Sequence, residues 1–401
     1  MKKRLQRLAS GGAGFVGLVF LASRALYFAS GEIFARLLRP SPGPADTRPA
    51  HHLVHNIWAR WDGIWYSYIA AHGYERHVPP EAAFFPLPSL LAQVAVHISG
   101  ARPALENLSV ALTVISLAAT LFGFYCLYRI AEDGWGEGVA RRSVLALAFF
   151  PTSFFFNAAY SEGLFLALSA GALWAVRLRR NLLLGCILAA LASATREAGL
   201  FLLIPLLGCW MGGRGWYGLR RLPYLALVPS GTAAYMLYLW RRYGDPLEFE
   251  VAEKTHWHRK FSGPYASFRD ALMRAIRGWR WVVHPESLLY GRGSLLHSFL
   301  AANTFYFGFL VLTVVLLAAG ILVLPWDLLL YSVCLTLLPA LDGAAGMPLM
   351  SFSRFLLAPF PLFIVVGALL RSRAALFVWL CASAALSLFF CALFVSWRWV
   401  A

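Results

Sequence analysis

Charged residues are scarce in this chain of 401 residues. Asp, Glu, Lys and Arg together make up 13% of it, hydrophobic residues make up 60%, and the mean hydropathy is +0.64. A soluble domain typically carries about 25% charged residues, because its surface must face water. The composition therefore excludes an ordinary soluble protein and predicts that lipid covers much of the surface.

Acidic residues are especially few, with 19 Asp and Glu against 35 Lys and Arg, so the net charge is +16. Basic residues collect in the cytoplasmic loops of membrane proteins, and this rule accounts for the basic clusters in the short loops. The long hydrophilic stretch after Tyr243 is not explained in this way. Its charge favours recognition of anionic lipid or phosphate.

Several common functional motifs are missing. The six cysteines lie in apolar stretches without a C-x-x-C pair, which is typical of small buried residues and not of a disulfide framework or a zinc site. Neither G-x-x-x-x-G-K-[ST] nor G-x-G-x-x-G occurs, so no motif supports nucleotide binding. No nucleic-acid module is visible. His51, His52 and His55 have metal-like spacing, but no cysteines or set of carboxylates accompany them, and we predict no metal site.

Long apolar runs are what the chain does have. A bilayer core of about 30 Å needs roughly 20 apolar residues as a helix. The sequence predicts an all-α, polytopic transmembrane helix bundle that forms a single domain over residues 1–401. About 11 spans are expected, at residues 11–30, 108–130, 143–158, 162–176, 182–194, 200–211, 223–240, 295–317, 321–338, 355–370 and 374–395. The first is expected to be an uncleaved span, since Arg24 interrupts it and no clean cleavage site follows.

Residues 86–99 are apolar but short, and Gln93 and His97 interrupt them. Their topology decides where the basic clusters lie. If this segment does not cross the membrane, the clusters at 2–7, 129–142, 177–180, 214–221 and 371–373 all fall on the cytoplasmic side. We therefore predict a juxtamembrane helix on the outer face, within a first outer loop at 31–107. A second large outer loop is predicted at 241–294.

Asp62 stands among aromatic residues in the first predicted outer loop, with Trp61 before it and Tyr66 after it. Aromatic faces can cover the C–H surfaces of a sugar, and a carboxylate can take a proton from an attacking hydroxyl. The alternative is an interfacial aromatic belt in which Asp62 caps a surface helix. Composition alone leaves both interpretations open.

Three further charges lie among apolar residues. Glu162 falls between two predicted spans, where an acid marks a site or faces water, although Ser161 and Glu162 also suit the start of a helix. Arg196 binds phosphate in one interpretation and is neutralised by Glu197 in the other. Arg354 begins a span on the outer face, either as a site residue or with its side chain reaching the lipid headgroups.

Taken together and in order, these segments resemble the PIG-V family of mannosyltransferases, membrane glycosyltransferases of the GT-C type. The resemblance extends from about residue 60 to residue 363, and it rests on the joint order of motifs that are individually weak. The matching segments are Arg60-Trp61-Asp62, Gly73-Tyr74, Phe84-Phe85-Pro86-Leu87, residues 151–162, Thr195-Arg196 with Gly199, residues 245–249, and Arg354-Phe355 with Phe360-Pro361-Leu362-Phe363.

The resemblance implies an inverting transfer of a hexose, classically mannose, from a polyprenyl- or dolichyl-phosphate sugar to a lipid-linked acceptor on the non-cytoplasmic face. For eukaryotic members the acceptor is a glycosylphosphatidylinositol precursor. Asp62 is the expected catalytic base. No other cofactor is expected, and a divalent metal has no support, because no second carboxylate adjoins Asp62. The expected substrate-binding residues are Arg60, Trp61, Tyr66, Tyr160, Glu162, Arg196, Glu197, Asp245, Arg259 and Arg354.

The chain departs from the family pattern at two places. Ser353 stands where the family often has a prolyl or small residue, and Glu197 follows Arg196. The length and basic N-terminus favour a bacterial homologue in the plasma membrane, where a eukaryotic member would lie in the ER membrane. The competing interpretation is a polytopic lipid or sugar transporter or flippase, but the internal halves that it predicts are not visible. A structural subunit would need no acidic site. The oligomeric state is not indicated.

Overall fold

The computed structural model describes residues 11–41, 57–76, 79–212, 220–290 and 293–401. This part of the chain is almost entirely helical, as predicted, with one pair of short strands. The α-helices in chain order are α1 Gly12–Leu37, α2 Asp62–His72, α3 Leu87–Ser99, α4 Leu105–Trp135, α5 Glu137–Ala148, α6 Glu162–Arg177, α7 Leu182–Ser193, α8 Leu203–Gly212, α9 Ser230–Tyr243, α10 Glu248–His256, α11 Pro264–Val282, α12 Pro285–Leu289, α13 Ser294–Val323, α14 Trp326–Leu341, α15 Phe352–Phe355, α16 Pro361–Leu369 and α17 Arg373–Val395. The strands are β1 Arg259–Phe261 and β2 Asp342–Ala344.

Four helices of the described residues are long and apolar enough to cross a membrane: α1, α4, α13 and α17. They coincide with the predicted spans at 11–30, 108–130, 295–317 and 374–395. Their lengths, from 23 to 31 residues, exceed the roughly 20 residues that a bilayer core requires. With the composition, they identify an integral membrane protein.

The prediction of about 11 spans is not confirmed, because several predicted spans are interrupted helices. Proline is the physical reason in most cases, since it lacks the backbone N–H and clashes with the preceding turn. Span 143–158 ends as α5 before Pro151, and span 321–338 is divided between α13 and α14 at Pro325. The other interrupted spans contain 3₁₀ turns or short helices. A 3₁₀ turn at Glu197–Leu202 interrupts span 200–211, and another at Leu222–Leu227 interrupts span 223–240. Span 355–370 is divided between α15 and α16.

The predicted surface segment 86–99 is helical, as α3, and it packs against α2 and α4. Two side chains of α3 fasten it to carbonyl groups of α2. Ser89 donates a hydrogen bond to the Tyr66 carbonyl at 2.8 Å, and Gln93 donates one to the Ala70 carbonyl at 2.7 Å. The position of α3 relative to the bilayer stays a prediction.

The two strands connect distant parts of the chain. β1 follows α10, β2 follows α14, and they pair antiparallel with Lys260 opposite Gly343. The pairing continues through the Ser262 amide, which donates to the Leu341 carbonyl at 2.8 Å. The predicted second outer loop is therefore fixed to the C-terminal end of α14, beside the site described below.

Arg24 of α1 is buried and fastens the turn between α5 and α6. Its guanidinium donates hydrogen bonds to the Ser153 carbonyl at 2.7 Å, the Asn157 side chain at 2.8 Å and the Ala148 carbonyl at 2.9 Å. None of the described carboxylates lies within ion-pair distance of it. A buried charge is costly unless hydrogen bonds compensate it, and here the turn supplies the acceptors. Arg24, which interrupts the first predicted span, thus holds the turn between α5 and α6 in place.

Arg24→Gln should lower the thermal stability of the purified protein. Glutamine cannot reach all three acceptors, and each one left without a donor costs about 1–3 kcal/mol. Thermal unfolding in detergent measures the effect. Arg36→Gln is the matched control, since Arg36 lies on the same helix with an exposed side chain. Equal unfolding temperatures for the two variants would contradict this role of Arg24.

Candidate active site

Asp62 is placed by an unusual backbone conformation at the start of α2. Trp61 precedes it with a φ of 50°, in the left-handed region that few non-glycine residues adopt. Next to it, the chain crosses the segment that leads into α6, where the Ala159 amide donates to the Trp58 carbonyl at 3.0 Å. The Asp62 amide then donates to the Tyr160 hydroxyl at 3.2 Å. Two distant segments are thereby held in contact at the Asp62 side chain.

Asp62 is one member of a buried charge network. Arg354 contacts the Asp62 carboxylate at 2.5 Å and the Glu162 carboxylate at 3.3 Å. The same Glu162 oxygen accepts a hydrogen bond from Arg196 at 2.9 Å. The side chains of Arg354 and Glu162 are 6% and 2% exposed, whereas Asp62 keeps 25% exposure. Asp62 is thus the carboxylate of this network that a substrate can reach.

Aromatic rings surround the two arginines. The Arg354 guanidinium lies 5.2 Å from the Tyr160 ring centroid and 5.0 Å from that of Phe355. The Arg196 guanidinium lies 5.0 Å from the centroid of the same Phe355 ring. Ring faces attract cations within about 6 Å. The rings therefore exclude water while preserving the charge of both guanidinium groups.

A cavity of about 560 Å³ opens over this network. Its floor includes Asp62, Arg196 and Arg354. A second wall is apolar and comes mainly from α14, the nearby 3₁₀ turn and the end of α15; its members are Ala198, Phe201, Leu335, Leu337, Leu338, Pro339, Leu341 and Ala358. The third wall is one face of α10 together with Trp257, the residue that follows this helix; its other members are Phe249, Glu250, Glu253 and Lys254. The cavity thus joins a charged floor to an apolar surface and a polar, aromatic one.

Glu253 and Arg259 form a second ion pair in the cavity, at 2.8 Å, and Asp342 lies 3.7 Å from the same guanidinium. Glu253 lines the cavity, so 36% of its side-chain surface is accessible, but protein atoms surround it on the other sides. Loss of bulk water raises the pKa of the Glu253 carboxyl to about 7, against an opposing effect of Arg259. Glu197, Asp342 and Asp62 raise this pKa further.

Glu253→Gln should flatten the pH dependence of thermal stability. The Glu253 pKa is higher in the folded protein than its usual 4.5, so the folded protein holds this proton more tightly than the unfolded chain. The resulting stability is present below about pH 4.5 and is lost as the pH rises through 7. Between pH 5 and pH 8, the unfolding temperature of the wild type should therefore fall more steeply than that of Glu253→Gln. Glu250→Gln, one turn earlier on α10, is the control, and equal slopes for Glu253→Gln and wild type would refute the assignment.

The structure brings most of the predicted site residues together. Asp62, Tyr66, Arg196, Glu197, Arg259 and Arg354 line the cavity, while Glu162 and Tyr160 lie directly behind it. Burial raises the pKa of the Tyr66 hydroxyl, which keeps it protonated.

Three predicted substrate-binding residues lie elsewhere. The Arg60 guanidinium lies 4.7 Å from the Trp397 ring centroid, and the Trp61 ring packs edge-on against Trp399 at 5.1 Å. Asp245 accepts a hydrogen bond from the Leu247 amide at 2.8 Å, ahead of α10. None of the three lines the cavity, so their substrate contacts stay predictions. They support the loops that carry the site.

Sequence reasoning missed Glu253, Trp257 and Asp342. Charged residues in a hydrophilic loop resemble a solvated surface, so nothing marked Glu253 as a cavity residue. One signal was present, because Phe249, Glu253 and Trp257 recur every fourth residue and share a helix face. His51, His52 and His55, whose spacing resembles that of metal ligands, lie outside the described residues. Among the described residues, no group of three His, Cys, Asp or Glu side chains is arranged to hold a metal ion.

A reachable carboxylate beside two arginines, in a partly apolar cavity of a helical membrane protein, can accept a proton and can contact a phosphate group. Residues 18–209 match the sequence model of the family described as mannosyltransferase (PIG-V). The chain is similar to this family over 192 of its 401 residues, and the match supports a glycosyltransferase enzyme. The matched region contains Asp62, Glu162 and Arg196 and ends before Arg354. Searches of the curated proteins and of the solved structures found no match.

Proposed function

We propose that this protein transfers a mannosyl residue, with inversion, from a polyprenyl-phosphate mannose to a lipid-linked acceptor on the non-cytoplasmic face of a bacterial plasma membrane. The observation that carries the proposal is the composition of the cavity. It places a charge network built around Asp62 and Arg354 next to an apolar helix face. A lipid-phosphate sugar has the same division between a charged group and a hydrocarbon tail.

The apolar wall supports a lipid donor and not a nucleotide sugar. Leu337 and Leu338 of α14 line the cavity and are 48% and 39% exposed. The apolar surface therefore continues from the cavity to the lipid-facing side of α14. A hydrocarbon tail can lie along this surface while the phosphate reaches Arg196 and Arg354. Burial of each CH₂ group contributes about 0.8 kcal/mol to such binding.

Charge compensation between Asp62 and Arg354 supplies a mechanism. The acceptor hydroxyl gives its proton to the Asp62 carboxylate as its oxygen attacks the anomeric carbon. The bond between that carbon and the phosphate oxygen breaks, and the lipid phosphate leaves with the electron pair and an additional negative charge. Protonated Asp62 no longer neutralises Arg354, so the guanidinium charge becomes available as the phosphate charge develops. Preorganised charges of this kind stabilise a transition state strongly.

The distribution of basic residues supports a non-cytoplasmic site. Glu162 begins α6 at the site, and Arg177 ends the helix about 22 Å away, at 1.5 Å per residue. Arg177 pairs there with Asp327, at the start of α14. The basic cluster 177–180 follows, so the site and this cluster lie at opposite ends of α6. Because basic clusters face the cytoplasm, the site belongs on the other side.

The test uses purified wild-type protein in lipid nanodiscs. One reaction receives polyprenyl-phosphate [¹⁴C]mannose, a parallel reaction receives GDP-[¹⁴C]mannose, and both contain the glycolipid extract of the host. Labelled glycolipid from the lipid donor alone is expected. Label from GDP-mannose alone would overturn the donor class. If neither donor gives labelled glycolipid although the protein is monodisperse, the proposed reaction is overturned and lipid transport is favoured.

The anomeric configuration of the labelled product tests inversion. When the donor supplied carries a β-linked mannose, an inverting reaction gives an α-linked product that α-mannosidase cleaves. A product that only β-mannosidase cleaves would show retention. Retention through a double displacement would require Asp62 to attack the sugar itself instead of acting as a base.

A further inference from the structure

The cavity-facing side of α10 is chemically distinct from the rest of the site. Its residues recur at a helical spacing, with Phe249, Glu253 and Trp257 each four positions apart. The helix is polar and short, and it lies in the predicted second outer loop. The charged groups Glu250, Glu253 and Lys254 disfavour a hydrocarbon tail on this face. The cavity-facing side of α10 fits the polar part of a substrate.

Trp257 is held in a cluster of rings. Its ring packs edge-on against Phe84 at 5.6 Å, and Phe84 stacks on Trp65 at 5.8 Å. The next residues form β1, which is fixed to β2 by strand pairing. Because this support comes from the first outer loop and from the end of α14, the orientation of Trp257 is set before any substrate arrives.

The charges on this face disfavour a second phosphate. Glu253 already forms an ion pair with the Arg259 guanidinium, and Asp342 lies close to the same group. On the exposed side, Lys254 pairs with Glu250 at 3.1 Å. This face thus holds three carboxylates, Glu250, Glu253 and Asp342, against two positive groups, whereas the network around Arg354 holds two of each sign. A neutral ligand with many hydroxyl groups can donate to these carboxylates and lay its C–H face on an aromatic ring.

We infer that the α10 face, with Trp257 and Glu253 as its main contacts, is the subsite for a neutral saccharide headgroup of the acceptor. This inference rests on the proposed function, since it assigns the lipid phosphate to Arg196 and Arg354 and the acceptor sugar to the opposite wall. Asp62 lines the same cavity between the two, where it can reach an acceptor hydroxyl. Trp257 and Glu253 then determine which acceptors the enzyme accepts.

Saturation-transfer NMR on the full chain in nanodiscs tests the subsite without any donor, with methyl α-mannoside and methyl α-glucoside as probes. We expect a signal for at least one glycoside with wild-type protein and its loss in Trp257→Ala. Trp279→Ala is the matched control, since Trp279 lies on α11 with 57% exposure and does not line the cavity. Glu253→Gln keeps the side-chain size and should weaken the signal without removing it. Absence of signal in wild type, or an unchanged signal in both Trp257→Ala and Glu253→Gln, would overturn the inference.

A kinetic measurement separates this inference from the proposed function. In the transfer assay, Trp257→Ala should raise the KM for the glycolipid acceptor by about tenfold and leave the KM for the lipid donor unchanged, as expected for loss of one aromatic contact. A change in the donor KM alone would place the donor on α10 and overturn the inference. Failure of wild type to use the lipid donor would instead count against the proposed function, and the NMR result would still decide the subsite.

Discussion

Asp62→Asn should reduce mannosyl transfer by about 10²- to 10⁴-fold, the contribution of a positioned general base. Asparagine keeps the size of the side chain and can accept a hydrogen bond from Arg354, so the loop geometry should survive. It cannot take the proton of an acceptor hydroxyl. The KM for the lipid donor should change little, because Arg196 and Arg354 remain. Steady-state transfer of label from the lipid donor measures both parameters.

The control for Asp62→Asn is Asp270→Asn. Asp270 lies on α11, pairs with Arg269 at 3.0 Å and is about half exposed, so the same chemical change occurs outside the cavity. Its transfer rate should equal that of wild type. Full activity in Asp62→Asn would remove Asp62 from the mechanism. It would also agree with a protein in which the carboxylate serves only to hold Arg354.

Arg354→Gln should lower the stability of the protein by about 3–5 kcal/mol, the usual cost of removing one partner from a buried ion pair. The guanidinium contacts both Asp62 and Glu162, and the Glu162 side chain is 2% exposed. Without it, two carboxylates share the single charge of Arg196. Thermal unfolding of the purified variant should show the loss, and transfer activity should be absent.

A double variant separates the stability effect from catalysis. Asp62→Asn combined with Arg354→Gln removes one charge of each sign and leaves Glu162 paired with Arg196. We expect the double variant to be more stable than Arg354→Gln alone, and still inactive. Groups in direct contact show such non-additive changes. A double variant no more stable than Arg354→Gln would mean that Asp62 and Arg354 do not form the pair described here.

The sequence predicted much of the site because of the cost of charge in an apolar setting. Asp62, Glu162, Arg196 and Arg354 stood among apolar or aromatic residues, and such residues are retained in a membrane protein mainly for function. All four meet in one network. Their roles in catalysis stay predictions until the variants are measured.

Their pairing could not be predicted in the same way. Local neutralisation of Arg196 by the adjacent Glu197 was one of two open interpretations, yet the structure pairs Arg196 with Glu162. Likewise, Arg354 was expected to face phosphate or headgroups, and it contacts Asp62. Sequence distance says little about such contacts, since Asp62 and Arg354 are 292 positions apart.

Hydropathy overestimated the regularity of the helices. Apolar composition identified the segments, but it does not distinguish one long helix from two short ones that meet inside the protein. Turns at Pro151 and Pro325 are tolerated where the surrounding helices and buried side chains supply hydrogen bonds. Arg24 is the clearest example, since it supplies them to the turn that leads into Glu162.

The sequence by itself determined that the chain is a helical membrane protein, and its ordered motifs indicated the family and the carboxylate to examine. Scarcity of charge is a property of composition, and each isolated charge could therefore be recognised without coordinates. Only the tertiary structure decided which charges neutralise one another and which helix face closes the cavity. Ion pairs and cavity walls depend on distances between remote segments, and packing around Arg24, β1 and β2 sets those distances.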